Sequence, residues 1–467
     1  MRKLAVTLSV LALLTATSTA LRSGPPSALA QAESEQILDE IRAMLGGLGG
    51  ADAPDPRTWV AAELPRVEAL SGMKAKRPVP VRLVTREEAV AHVASVLAAQ
   101  LPPPVMRRTE VLYRALGFLP PGESLESAIT SLFGGQAGGF YDPERGELVL
   151  LKDLPSMLQL PVLRHELVHA LQDQNHDLSA LIAAAKDDED RSAALQAVLE
   201  GHAVDVMQRA TLASMAGSGT AELSPGLMAE LRETLGVDSD AAASEMLDAS
   251  GGPGSLDIYA GLLPPALPVL QTQLLFPYTT GATFVAGYRA AHPEDPGCTD
   301  LYERLPRTSA EILDPRRRKP GTKAPDLQKP GTLAPDLKIV HHTTLGRLLT
   351  WILMENQPDP SAGDPRGGSW GTPEHDINAV VGSGWRGDHV ALFEASNSRP
   401  GTFAPGSYAV VWAARWRNEA EARAVAARIR ERRKHATIVV SGDRTHAVFA
   451  GPATRVPEFL EALRAWR

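Results

Sequence analysis

Apolar positions recur at helical spacing through most of the first 290 residues and turn to strict alternation near the carboxy terminus. The pattern predicts a short amphipathic helix over residues 35–48, which ends where Gly46, Gly47, Gly49 and Gly50 remove helix propensity. Pro54 and Pro56 make a joint, and a second helix follows over 59–70. Residues 79–84 alternate as a strand. Thr85 stands three positions before Glu88, the spacing of a capping box, and so opens a helix through Leu97. Another helix is expected over 105–116. Two apolar runs flank a turn with Pro143 and Gly146, which predicts a β-hairpin over 138–151. From Leu160 to about Met215 the period is helical, broken by the polar run 186–191, and further helices are expected to 291 with a loop at 250–254.

Residues 319–338 are two copies of a decapeptide, each with two prolines and one glycine. That composition forbids regular structure, and two copies are too few for a solenoid, so the segment reads as a linker. Arg316, Arg317, Arg318 and Lys319 at its start read as a solvated flank. Beyond it the chain predicts strands at 389–394, 407–416, 436–441 and 445–450, with helices at 418–433 and 456–466. His341 and His342 read as a strand entry. The fold class is therefore α+β: a mainly helical domain with a β-hairpin edge, plus a small antiparallel-sheet module. The expected boundaries are 31–315, a linker at 316–338, and 339–467.

With 44% hydrophobic and 22% charged residues, the 467-residue chain has enough apolar material for a large core. A net charge of -8 gives no electrostatic ground for nucleic acid as a partner. Arg2 and Lys3, an apolar run from Leu4 to Leu14, and small residues up to Ala30 have the layout of a secretory signal over residues 1–30. Cleavage falls after Ala30 or after Ala20. Thr15, Thr17, Ser18 and Thr19 dilute the run well short of the roughly 20 apolar residues of a membrane span, so no stable span is expected after cleavage, and the mature chain is expected to be secreted or periplasmic. Cys298 is the single cysteine, which excludes an intramolecular disulfide; it reads as a semi-buried small side chain.

The chemistry concentrates in His165-Glu166-Leu167-Val168-His169. Leu160, Leu163, Leu167 and Leu171 share one helical stripe, and His165, His169, Gln172 and His176 share the opposite one. Imidazoles one turn apart can converge on a single ion, and the intervening Glu166 can take a proton from the attacking water. A catalytic zinc needs a third protein ligand. A metzincin would place a histidine ten residues after His165, where this chain has Asn175, and a glycine at Gln172; His176 is one residue late. Glu200 is the leading candidate, because a carboxylate within so apolar a helix, 193–207, needs a cation or metal. His202 and Asp205 are its rivals, and Gly201 would let this helix approach the histidine helix closely. Asp187, Asp188, Glu189 and Asp190 could bind calcium, but read first as a solvated connection.

The pair of segments around His165–His169 and Leu199-Glu200-Gly201-His202-Ala203 resembles gluzincin-like metallopeptidases, whose third ligand is a glutamate on a later helix. The fuller pattern is similar to a group of secreted bacterial HExxH proteins, through Gly139-Phe140-Tyr141-Asp142-Pro143, Phe276-Pro277-Tyr278 with Gly281, the stretch 308–315, and Gly384-Trp385-Arg386-Gly387-Asp388. Many relatives have histidine where Asp314 stands. The resemblance spans roughly 75–430 and implies a zincin-like fold, with zinc on His165, His169 and Glu200, Glu166 as general base, and a peptide or protein substrate aligned along the hairpin edge. Peptide hydrolysis also needs a donor for the developing oxyanion, and Tyr278 and Tyr141 are the candidates. The expectation is an exported zinc-dependent endopeptidase; the alternative is a non-catalytic, zinc-stabilised envelope scaffold or binding protein.

Overall fold

A computed structural model describes residues 56–134, 138–152, 156–215, 268–318, 331–354 and 384–466. The leader, the helix expected at 35–48, the loop at 250–254 and most of the tandem decapeptide lie outside them. The architecture is mixed α+β with a five-stranded antiparallel sheet. Helix α1 (Pro56–Ser71) leads to strand β1 (Val81–Val84), then α2 (Arg86–Gln100), α3 (Pro103–Leu116) and α4 (Leu125–Gly134). The capping box is present: Thr85 N–H donates to Glu88 Oε2 at 2.8 Å, and Glu88 N–H donates to Thr85 Oγ1 at 3.3 Å. Gly117 ends α3 in the left-handed region, where a glycine carries no steric cost.

Strands β2 (Gly139–Asp142) and β3 (Glu147–Leu151) form the expected hairpin, and β1 adds to β3 in parallel, giving the order β1-β3-β2. This small sheet packs on α5 (Ser156–His176), whose Leu163, Leu167 and Leu171 are fully buried against it. After α6 (Leu178–Ala185) comes α7 (Glu189–Met215), which crosses both α1 and α5. Asp188 caps α7 by accepting from Arg191 N at 2.9 Å. Next come α8 (Pro268–Tyr278), α9 (Thr280–Ala291) and two single turns, α10 (Thr299–Glu303) and α11 (Ser309–Leu313).

The carboxy-terminal unit comprises β4 (Leu337–Thr343), α12 (Gly346–Met354), β5 (Gly387–Ala395), β6 (Tyr408–Arg415), α13 (Glu419–Arg432), β7 (Thr437–Ser441), β8 (Arg444–Ala450) and α14 (Val456–Arg464). Its strands run in the order β4-β5-β6-β8-β7, antiparallel throughout. Alternation sends Ala391 and Phe393 to the face covered by α14, and Val390 and Leu392 to the other. That second face packs on α12 and α13 and, in one continuous apolar cluster, on α3 and α7 of the helical part. Strand β4 begins inside the second decapeptide copy, at Leu337, so the repeat is not irregular to its end. Among the described residues no helix is long and apolar enough to cross a membrane.

The basic run is only partly a solvated flank. Arg316 is exposed, but Arg317 donates to the Trp385 carbonyl at 3.0 Å and Arg318 lies over the Phe284 ring. Nor is the acidic connection before α7 simply solvated. Asp190 is buried and accepts from Ser309 N at 2.9 Å, while Asp188 also accepts from Thr344 Oγ1 at 2.8 Å. These bonds tie the start of α7 to α11 and to the turn between β4 and α12. Cys298 is wholly buried and opens α10 in the left-handed region.

Candidate metal centre

Helix α5 does not present a polar front to water: His165, Glu166, His169 and Gln172 are all fully buried. Helix α7 covers that stripe and brings Glu200 against it. His165 Nε2 lies 3.2 Å from Glu200 Oε2, His169 Nε2 lies 3.4 Å from the same oxygen, and the two imidazole nitrogens are 3.1 Å apart. Tetrahedral bonds of about 2.0–2.1 Å to one ion place neighbouring donors roughly 3.3–3.4 Å apart. The triangle is close to that size. The three residues form a buried group that can hold a metal ion, and the only such group among the described residues.

The electrostatics agree with the geometry. Burial pushes the Glu200 carboxyl upward, but the His169 charge and the hydrogen bonds from both imidazoles outweigh it and hold the group at about 2. Burial opposes the charged form of His169, yet the neighbouring carboxylate raises it, whereas His165 is lowered by burial. A negative side chain in a dry site thus draws positive charge to itself, which a cation satisfies as well as a proton does. Among the described residues Nδ1 of His165 has no hydrogen-bond partner.

Glu166 sits one residue along the same helix. Burial pushes its carboxyl up to about 8, and the backbone N–H of Tyr141 on β2 hydrogen-bonds to it. The hairpin edge therefore touches the carboxylate through its main chain. The Tyr141 hydroxyl serves elsewhere, donating to Asp173 Oδ2 at 2.9 Å beside Arg77. Its candidacy as an oxyanion donor fails on position. Tyr278, at the end of α8, lies with its ring nearly parallel to His165 at 6.1 Å and packs against Val204, Met207 and Ala282.

The rival ligands turn away. His202 Nδ1 is 3.1 Å from the Tyr302 hydroxyl, and Asp205 pairs with Arg289. Asp314 pairs with Arg316 at 2.7 Å. Gly201 does permit a close helix contact, but with α9 rather than α5: a Cβ on Gly201 would land on the Gly281 carbonyl, and one on Gly281 would land on that of Ala197. Glu200 is thus pressed toward α5 from behind. One site residue was not anticipated from sequence. Gln172 Oε1 is 2.7 Å from His169 Nδ1, and its Nε2 donates to the Leu199 carbonyl at 2.9 Å. Its position three residues after His169, on the same stripe, is the signal that marks it.

Residues 338–463, the strand-rich unit, match the family model described as Domain of unknown function (DUF8575). The match lies wholly outside the metal centre. No curated protein and no solved structure matches the chain.

Proposed function

We propose that this chain is an exported, zinc-dependent peptidase of the gluzincin kind, with a zincin-like arrangement of its helical part, that cuts within peptide or protein substrates. The observation that carries the reading is the convergence of His165, His169 and Glu200, from two helices, around one point beside Glu166, which is buried and held by the main chain of the edge strand. Two imidazoles and a carboxylate are the donor set of a zinc site with an open fourth position, and zinc bound there supplies a Lewis acid that polarises water and the scissile carbonyl.

The chain's own residues account for the remaining steps. Glu166, buried beside His165 and held by the β2 main chain, is placed to take a proton from the attacking water and return it to the leaving amine. The main chain of β2 positions that carboxylate, and its outer edge is suited to pair with an extended substrate. Tyr278, over His165, is the candidate donor to the developing oxyanion. The decisive test is Glu166→Gln, assayed on casein and on a peptide library with metal content measured in parallel. The expected outcome is turnover reduced by more than about 100-fold at unchanged metal stoichiometry. Retained turnover would remove Glu166 as the base, and a wild type that holds metal without hydrolysing any substrate would favour the scaffold alternative.

A further inference from the structure

We infer that Gln172 is a positioning residue that sets both the tautomer of His169 and the approach of Glu200, and that it can do so only as an amide. The inference rests on the metal-site reading above and extends it to a residue outside the ligand set. The starting point is the carbonyl of Leu199, which can only accept a hydrogen bond. Because that oxygen lies 2.9 Å from the Gln172 side chain, the amide nitrogen must face it, and the amide oxygen must then face His169 Nδ1 at 2.7 Å. An amide oxygen cannot donate, so the proton of that bond belongs to Nδ1 of His169. Nε2 is left to present its lone pair toward His165 and Glu200. One backbone carbonyl on α7 thereby fixes the ligating nitrogen of a histidine on α5.

The same side chain sets a distance. Leu199 immediately precedes Glu200, so the bond from Gln172 fastens α5 to the turn of α7 that carries the carboxylate, while Gly281 presses on that turn from the other side. The Tyr302 ring stacks on His176, and its hydroxyl, 3.1 Å from His202 Nδ1, lies beside the fully buried amide. Glutamate at this position would keep an acceptor for His169 but set an oxygen against the Leu199 carbonyl. Methionine matches the length and supplies neither bond.

The test measures metal binding, not hydrolysis. Wild type, Gln172→Met and Gln172→Glu are stripped of metal, checked for melting temperature, and titrated with Co2+ against a chelator while the visible spectrum is recorded. Gln172→Met is expected to bind Co2+ about 10–100-fold more weakly, with an altered ligand-field spectrum and a metal-free melting temperature within a few degrees of wild type. Gln172→Glu is expected to fall between the two. Unchanged affinity and spectrum in Gln172→Met, even alongside a lowered melting temperature, would assign the residue a packing role and overturn the inference. Gln172→Glu binding no better than Gln172→Met would overturn the tautomer argument. A wild type that takes up no Co2+ defeats the metal reading itself, and the positioning role with it.

Discussion

Two buried carboxylates, one in each half of the molecule, are solvated by opposite means. Asp388 on β5 is fully buried and accepts four hydrogen bonds: from Leu345 N and Gly346 N at 2.9 Å each, from Trp385 Nε1 at 3.2 Å and from Trp412 Nε1 at 3.0 Å. Among the described residues Glu200 on α7 meets no backbone or indole donor in the same way; it faces two imidazole nitrogens. Burial pushes Asp388 up to about 7 despite its donors, while the imidazoles hold Glu200 at about 2 against burial. A carboxylate closed off by four fixed dipoles is a structural knot, joining the start of α12 to the sheet. One that faces ring nitrogens can be completed by a proton on them or by a cation between them.

The sharpest way to break this contrast is to delete both groups. Asp388→Ala would leave two backbone N–H groups and two indoles unpaired in the core, at about 1–3 kcal/mol for each donor. The expected outcome is a loss of about 4 kcal/mol or more in chemical denaturation, or no folded product. Glu200→Ala removes one partner of a buried pair, but the imidazoles can release their proton and strand no charge, so its metal-free cost is expected to stay below the roughly 3–5 kcal/mol of a broken buried pair, while metal binding weakens by more than about 100-fold, beyond the usual effect of losing an outer partner. Equal effects on folding from the two variants would erase the distinction.

A smaller effect tests how Glu200 is delivered. Gly201→Ala drives a methyl into the Gly281 carbonyl and forces α9 away from α7. Overpacking of this kind costs about 1–3 kcal/mol, and because the displaced turn carries Glu200, metal affinity should fall with stability. Gly287→Ala is the matched control, since a Cβ there meets nothing within 4 Å. Its stability should rise by about 0.5–1 kcal/mol, the usual gain of alanine over glycine inside a helix, with metal affinity unchanged.

The parts of this arrangement that were legible in the sequence are those set by local spacing. Four-residue separation places His165 and His169 on one stripe, and a lone carboxylate in the apolar helix around Ala197, Val198 and Leu199 marks Glu200 before any fold is known. The capping box at Thr85, the hairpin at Gly146 and the alternating strands β5, β6 and β8 are local in the same sense. What escaped depends on partners distant in sequence. Gly201 signals a close contact but not that α9 supplies it, and nothing near Gln172 announces the Leu199 carbonyl. Helix α12 was missed because it is buried on every side from Gly346 to Met354, so its apolar run has no period to read. The parallel pairing of β1 with β3 was likewise invisible, since Val81–Val84 alternates equally well in either direction. The polar run before α7 looked solvated because its partners, Ser309 and Thr344, come more than 100 residues later.

A last effect, confined to acid, concerns a buried polar group with neither donors nor a cation among the described residues. His446 on β8 is 1% exposed, and neither ring nitrogen has a hydrogen-bond partner among the described residues. Burial, followed by the charges of Arg444 and Arg464, lowers it to about 4. In the unfolded chain a histidine takes up its proton near 6.5. Between those two values the unfolded state binds the extra proton, so stability rises with pH across the window and is lost as pH falls from about 6.5 toward 4. His341 and His389, also lowered to about 4 by burial, act in the same direction, so the carboxy-terminal sheet is acid-sensitive. One proton contributes at most about 1.4 kcal/mol per pH unit. His446→Leu should therefore match wild type at pH 7.5 within about 1 kcal/mol and gain roughly 2 kcal/mol on it by pH 5, measured by urea denaturation at both values. An unchanged pH slope in this variant would mean that His446 finds a partner when it takes up its proton. The sheet would then resemble the metal centre, where an imidazole and a charge meet, more than the donor-closed knot at Asp388.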